Sequence, residues 1–334
     1  MSSSTSSSKN GSMGYVRFLL RVLWFVLVLA ICGVLLMWLL PNAQQSNYFD
    51  ALIDKHARLD SIASPKVIVI GGSSATFGIN SEQLEANLCR PVVNLSLHAA
   101  LGFGFARREI HGKISKNDLV MVCLEQATIT DPDPDNYELA SAFTRYPKSL
   151  SYMRYDQWPK VFLSAVVLRL RASWALFMDP GRAMKYEPIY RADAVNAYGD
   201  MVGYDVLPVI DTLPLEHMRF ESPSIGPEFR PLMDDLRSEA KRVGANVVLV
   251  WPAIARSSYN APRDEALFRE LQEMNITLVG KPDQCVYPDS AFLDTPYHLK
   301  LWGRNARTEK LVSDLCGISL VTCCSSEPDP GSTE

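Results

Sequence analysis

The chain has 334 residues, 47% of them hydrophobic and 21% charged, which excludes a collagen-like or wholly disordered polymer and leaves ample length for a buried core. Thirty-three Lys and Arg against 37 Asp and Glu give a formal net charge of −4, and no Lys/Arg run supplies a local basic field, so nucleic acid is not an expected partner. Seven cysteines are too few for a disulfide-built scaffold, and none forms a Cys-x-x-Cys pair or a Cys/His zinc spacing, so structural zinc is not expected. With no metal-ligand cluster and no Rossmann fingerprint, since Gly102-Phe-Gly104 lacks the third glycine, no metal or cofactor is expected.

Residues 1–14 (MSSSTSSSKNGSMG) are Ser-rich, lack large apolar side chains and read as a disordered cytoplasmic tail. Residues 15–41 contain Val22–Leu40, 19 residues without a charge, which as a helix matches the ~30 Å hydrocarbon core of a bilayer. Trp24 and Trp38 lie near opposite ends, where indoles favour the interface, and Pro41 ends the stretch. Lys9, Arg17 and Arg21 precede the span, whereas Asn42–Asp54 carries no positive charge. The expectation is a single-pass anchor with a cytoplasmic N-terminus and an extracytoplasmic domain, the lipid bilayer being the first partner. A cleaved signal peptide is the alternative; the stretch is longer than a usual h-region and no small-x-small site closes it. In an oxidising compartment Cys89, Cys123, Cys285, Cys316, Cys323 and Cys324 can form disulfides, with pairing left open; Cys89 and Cys123 also fit as buried small hydrophobes.

Residues 42–64 read as a polar stalk. Beyond it, Lys66–Ile70, Pro91–Leu95, Asp118–Leu124 and Asn246–Trp251 are apolar, partly β-branched runs that suit strands covered on both faces. Helical spacing recurs in Phe229, Leu232, Met233, Leu236, Ala240 and Val243, with Gly244 as a stop; in Leu267, Phe268, Leu271 and Met274; and in Leu299, Trp302, Ala306 and Leu311. This alternation predicts an α/β domain over 65–320 with right-handed crossovers, a parallel sheet and an active site beyond the carboxyl ends of the strands. Residues 126–226, rich in Tyr, Trp, Pro and Asp, break the rhythm and read as an inserted cap. Within it, Val161–Phe177 has the length of a span but carries Arg169 and Arg171, and reads as a buried or interfacial amphipathic helix. Tyr152, Tyr155, Trp158 and Trp174 either pack the cap or stack on sugar rings. Residues 321–334 read as a flexible tail.

Gly71-Gly72-Ser73-Ser74 falls where the first strand ends and a helix begins, which exposes a serine at the sheet's carboxyl edge and offers its backbone N–H to an oxyanion. No Gly-Lys-Ser/Thr makes it a P-loop, and Ala75 stands where an α/β-hydrolase elbow needs glycine. A serine nucleophile needs a base, and the base an orienting carboxylate. Of five histidines, His56 falls in the stalk, His111 in a helix and His217 in the insertion. His98, after the second strand, remains a competitor, but only His298 has an acid, Asp294, at close spacing before the last helix.

With Ser73, Asp294 and His298 so placed, the sequence resembles the SGNH/GDSL hydrolase superfamily. That superfamily's nucleophile lies in a Gly-x-Ser after the first strand, and its Asp and His come from one C-terminal segment. VIVIGGSSATFGIN and FLDTPYHLKLWGRNART look like a membrane-tethered branch associated with acylation of bacterial envelope polysaccharides. The resemblance covers residues 65–125 and 228–315 and implies a three-layer α/β/α, flavodoxin-like fold with Ser73 as nucleophile, His298 as base and Asp294 as its orienter. The oxyanion-hole glycine of the family's second block is replaced by Asn94-Leu-Ser-Leu-His-Ala-Ala-Leu-Gly102, which leaves the Ser73 amide with Ala100 or Gly102 as donors. Leu124-Glu125-Gln126 stands where the family has Gly-x-Asn-Asp, so Glu125, with Trp158 of the insertion, is a candidate substrate contact.

The resemblance implies serine acyl chemistry at the outer face of a bacterial cytoplasmic membrane. The expected partners are an acyl donor, a polysaccharide acceptor and a membrane-embedded acyltransferase. An esterase or deacetylase, and a glycan-binding scaffold that has lost activity, are the competing readings.

Overall fold

The structure is a computed structural model describing residues 9–39, 47–131, 133–183, 187–205, 207, 215, 224–318 and 323–324. Residues 1–8 of the expected 1–14 tail, the expected 321–334 tail apart from 323–324, Leu40, Pro41, the Trp38 side chain, the start of the stalk and His217 lie outside the described residues. The chain divides into two compact units: Met1–Gln45 with Phe162–Lys185, and Ser46–Val161 with Tyr186–Glu334.

In the first unit, α1 (Lys9–Leu39) is a continuous helix that begins within the stretch expected to be a tail.

The second unit is built on a parallel sheet of β1 (Val67–Gly71), β2 (Val92–Asn94), β3 (Leu119–Cys123), β4 (Asn246–Val250) and a short edge strand. β5 (Ile254–Ala255) pairs instead with β7 (Val286–Tyr287) in a small separate sheet, and the edge strand is β6 (Leu278–Val279). The strand order is β2-β1-β3-β4-β6, that of a flavodoxin-like doubly wound sheet. Because successive side chains alternate, β1 sends Ile68 and Ile70 to one face and Val67 and Val69 to the other, all fully buried. The first face carries α2 (Ala51–Ser61), α5 (Phe103–Glu109), α10 (Phe229–Val243) and α11 (Ala261–Glu273) through Leu59, Phe103, Phe229, Met233, Leu236, Leu267 and Leu271. The second carries α3 (Ser73–Gly78), α4 (Ser81–Leu88) and α12 (Leu301–Cys316) through Ala75, Leu84, Leu88, Leu311 and Leu315. The β-branched runs are continuous because both faces are covered. Gly244, at φ 79°, closes α10 as its spacing predicts.

Three further expectations differ from the structure. Residues 51–61 of the expected stalk are α2, with Leu52, Lys55 and His56 buried. Its polar residues look solvated in sequence, but Lys55 Nζ donates to the carbonyls of Asn94, Ser96 and Gly199 at 3.0, 2.7 and 2.5 Å, and His56 stacks with both Tyr146 and Tyr152. The inserted cap expected over 126–226 is divided between the two units. α6 (Gln126–Thr130) and α7 (Asn136–Arg145) belong to the sheet unit, as do residues 187–205, whereas α8 (Trp158–Met178) passes into the other unit together with α9 (Pro180–Ala183). At the C-terminus, Cys323 and Cys324 are tied by disulfides to Cys316 and Cys89, while Cys123 and Cys285 are free and buried.

Candidate active site

In a sheet of this order the chain leaves β1 towards β2 on one side and leaves β3 towards β4 on the other, and the crevice beyond the carboxyl ends of β1 and β3 is the usual ligand site. Gly71 and Cys123 are paired there, so the residues that follow them, Ser73 and Glu125, flank that crevice. Gly71 has φ 152°, and a Cβ on it would lie 1.8 Å from the Cys123 carbonyl oxygen, so only glycine fits. A Cβ on Gly72 would lie 2.1 Å from Glu125 Oε2. The turn is therefore wrapped around a carboxyl group.

Ser73 opens α3 and is partly exposed. Its Oγ lies 3.5 Å from Glu125 Oε1, and the Ser74 amide donates to the same oxygen at 2.6 Å. Among the described residues the Ser73 amide has no acceptor, which leaves it available to a ligand. Glu125 is 2% exposed and its Oε2 is buried with no hydrogen-bond partner among the described residues. Burial raises its pKa, while the Ser74 hydrogen bonds and the charge of His298 act the other way.

Asp294 and His298 come from a tight hairpin. Phe292 and Leu299 pair as an antiparallel bridge, and the Leu293 amide donates to the His298 carbonyl at 2.8 Å, so the two side chains are brought together across the turn. His298 Nδ1 lies 2.8 Å from Asp294 Oδ1, which assigns the Nδ1 proton to that bond and leaves Nε2 as the free base. The Tyr190 hydroxyl donates to Asp294 Oδ2 and lies 3.1 Å from His298 Nδ1. Burial would raise the Asp294 pKa, but the hydrogen bond and charge of His298, with the Tyr190 hydroxyl, outweigh it and hold the carboxyl below its usual value.

The two halves of the site meet through α3. Phe77 follows Ser73 by four residues, hence on the same helix face one turn on, and its ring stacks on His298 with centroids 4.1 Å apart. The string after His298 braces the same helix from α12 through Arg307, which donates to the Ser74 carbonyl at 3.0 Å. Thr308 accepts from the Asn80 amide at 2.9 Å, just before α4, and Arg304 donates to the Met201 carbonyl at 2.6 Å. Tyr297 donates to Gln126 Oε1 at 2.6 Å, joining the hairpin to the residue after Glu125. No hydrogen bond joins Ser73 to His298 among the described residues; the serine hydroxyl's partner is Glu125.

The remaining sequence candidates are placed as follows. His98 accepts the Ala100 amide on Nδ1 at 3.2 Å, and burial, reinforced by the charge of His298, lowers its pKa to about 4, so it is neutral at pH 7. The Ala100 amide is thereby occupied, and the Gly102 amide donates to the Ala99 carbonyl at 2.9 Å. Trp158 lies edge-to-face with Tyr155 in a groove with Arg108, Met153 and Arg154, which shares no residue with the Ser73–His298 cluster. Among the described residues no His, Cys, Asp and Glu group could hold a metal. Phe77 and Tyr190 were missed by sequence reasoning. Phe77 lies inside the string VIVIGGSSATFGIN but has no polar chemistry to mark it, and Tyr190 lies in the uninterpreted insertion.

No protein-family profile and no curated protein matches the chain. Among solved structures the chain is similar to protein YxiM of Bacillus subtilis, at 13% identity and a TM-score of 0.35 over 77% of this chain and 58% of that one. The chain thus spans less than two thirds of YxiM, and a likeness this distant carries no argument about function. The chemistry rests on the site itself.

Proposed function

We propose that the protein is an SGNH-type serine acyl-transfer enzyme, with Ser73 as nucleophile, His298 as general base and Asp294 as its orienter. The observation that carries this reading is the His298–Asp294 pair, stacked through Phe77 on the helix that Ser73 opens. In the reaction Ser73 Oγ attacks an ester carbonyl carbon while its proton passes to His298 Nε2. The tetrahedral oxyanion is met by the Ser73 amide. Collapse breaks the carbon–oxygen bond to the leaving alcohol, which takes the proton back from His298 and leaves an acyl ester on Ser73. A second alcohol, or water, is then deprotonated by His298, attacks that ester and releases the serine. For this to begin, the Ser73 hydroxyl turns from Glu125 towards His298.

The apolar α1 supports a tether in the bacterial cytoplasmic membrane, with the N-terminus cytoplasmic and the α/β unit periplasmic. Anchoring beside a membrane acyl donor, such as a membrane-embedded acyltransferase, raises its effective concentration and favours transfer to an envelope polysaccharide hydroxyl over hydrolysis. An extracytoplasmic esterase or deacetylase would use the same three residues.

One observation favours a second reading, a glycan-binding scaffold without activity: the Ser73 hydroxyl is partnered by Glu125 rather than by His298. Labelling with a fluorophosphonate probe separates the two. Wild-type protein is expected to label and Ser73→Ala not to; equal labelling of both, or none of either, would remove the enzymatic reading. Lower acyl content of envelope glycan in a Ser73→Ala strain marks a transferase, and higher content a deacylase.

A further inference from the structure

α8 presents two different faces. Val161 and Ala165 are fully buried, while Phe162 and Val166 pack on Gly33 of α1, where a Cβ would lie 2.9 Å from the Phe162 ring and 3.5 Å from Val166. On the opposite face Leu163, Val167, Leu170, Trp174 and Phe177 recur at i, i+4, i+7, i+11 and i+14, a single helical stripe. All five are exposed, Leu163 and Trp174 at 65% and Phe177 at 78%. α8 is, with α1, one of two described helices long and apolar enough to cross a membrane.

We propose that α8 is a second membrane-embedded helix, packed on α1 at Gly33 by one face and covered along the Leu163–Phe177 stripe by lipid acyl chains, with both of its ends on the side of the bilayer that holds the α/β unit. The inference rests on the reading of α1 as a membrane anchor. Gly33 lies seven residues before the end of the charge-free stretch at Leu40, about 10 Å below the hydrocarbon edge at 1.5 Å per residue. Phe162 and Val166 touch Gly33 and therefore sit at a similar depth, where nothing but lipid or protein is available to cover an apolar stripe. The small side chain at the contact is the usual device for close helix approach in membranes.

The sheet fixes the sidedness. β3 precedes α8 and β4 follows it, yet they are neighbouring strands, so both ends of α8 return to one side. Only ten residues, 179–188, connect Met178 to Ile189, which is buried in the sheet unit, and ten are too few for a further spanning helix. A second spanning helix is not needed for the return. Arg169 and Arg171 fall outside the stripe; charges cost most at the bilayer centre, and long stems let guanidinium groups reach the headgroups, which favours a tilted, shallow position for α8.

The test uses the full chain with Cys32→Ser, reconstituted in phosphatidylethanolamine/phosphatidylglycerol vesicles. It carries single spin-labelled cysteines at Leu163, Val167, Leu170 or Trp174, with Val28 of α1 and the exposed Tyr155 as controls. Relaxation by oxygen, which partitions into lipid, is compared with that by a water-soluble nickel chelate. The expected result is an oxygen-to-nickel ratio at the stripe several-fold above that at Tyr155 and similar to that at Val28. Ratios at the stripe equal to Tyr155 would overturn the inference. So would exclusion of both reagents, which would mean a protein cover such as a second copy. A low ratio at Val28 would remove the anchor reading itself; a high ratio there with a low one at the stripe would remove only the placement of α8.

Discussion

The Phe77 ring lies flat on the His298 imidazole, their planes 13° apart and their centroids 4.1 Å apart. It ties the helix that begins at the candidate nucleophile to the candidate base, across more than 200 residues of sequence. Phe77 is fully buried, so Phe77→Ala is expected to lower unfolding free energy by about 3 kcal/mol. Phe77→Leu, which keeps most of the volume, is expected to retain the fold yet slow labelling of Ser73 at least tenfold. Urea unfolding alongside labelling rates checks both; a Leu variant that labels at the wild-type rate would free His298 from this support.

Tyr190→Phe removes a hydroxyl that donates to Asp294. With that donor gone, burial is less well opposed and the Asp294 carboxyl becomes easier to protonate. The wild-type carboxyl is held below its usual value, so its contribution to stability is present above the unfolded carboxylate range and is lost as pH falls through the depressed folded value. In the variant the folded value lies higher, so that loss is expected to be smaller and complete at higher pH, with the acid limb of the Ser73 labelling profile moving to higher pH. A profile that superimposes on the wild type contradicts the role given to Tyr190.

Glu125 has the opposite sign. Burial raises its folded pKa above the unfolded value, so the native state holds the proton more tightly and stability declines as pH rises through that window. Glu125→Gln keeps an oxygen for the Ser74 amide but cannot ionise. Its stability relative to wild type, measured by urea titration, is expected to rise as pH increases above the unfolded carboxylate range. No change with pH would mean that Glu125 is ionised at ordinary cost.

Gly72→Ala forces a Cβ into the Glu125 carboxyl, an overpacking expected to cost about 1–3 kcal/mol. In a Glu125→Ala background the same change should cost at least about 1 kcal/mol less, because the clashing group is gone. Equal costs in the two backgrounds would separate the turn from the acid.

How far the sequence could be read follows from the range of each contact. β1, β3 and β4 announce themselves as apolar runs because both faces are buried, whereas β6 has two residues and shows no period. Ser73, Asp294 and His298 stand out by chemistry and by position at strand and helix ends. The Tyr190–Asp294 bond and the Phe77–His298 stack join residues 104 and 221 positions apart, and no local pattern encodes them. α2 reads as a stalk because burial of Lys55 depends on three carbonyls supplied by residues 94, 96 and 199. Cysteine pairing is equally non-local, Cys89 meeting Cys324.

The most direct measurement is the mass spectrum of the Ser73 peptide after brief exposure of the full chain to an activated acetate ester. The account predicts an acetyl group on Ser73, its decay accelerated by added polysaccharide acceptor, and no adduct on that peptide in His298→Ala over the same interval. An unmodified Ser73, or an adduct that forms equally well without His298, would contradict it.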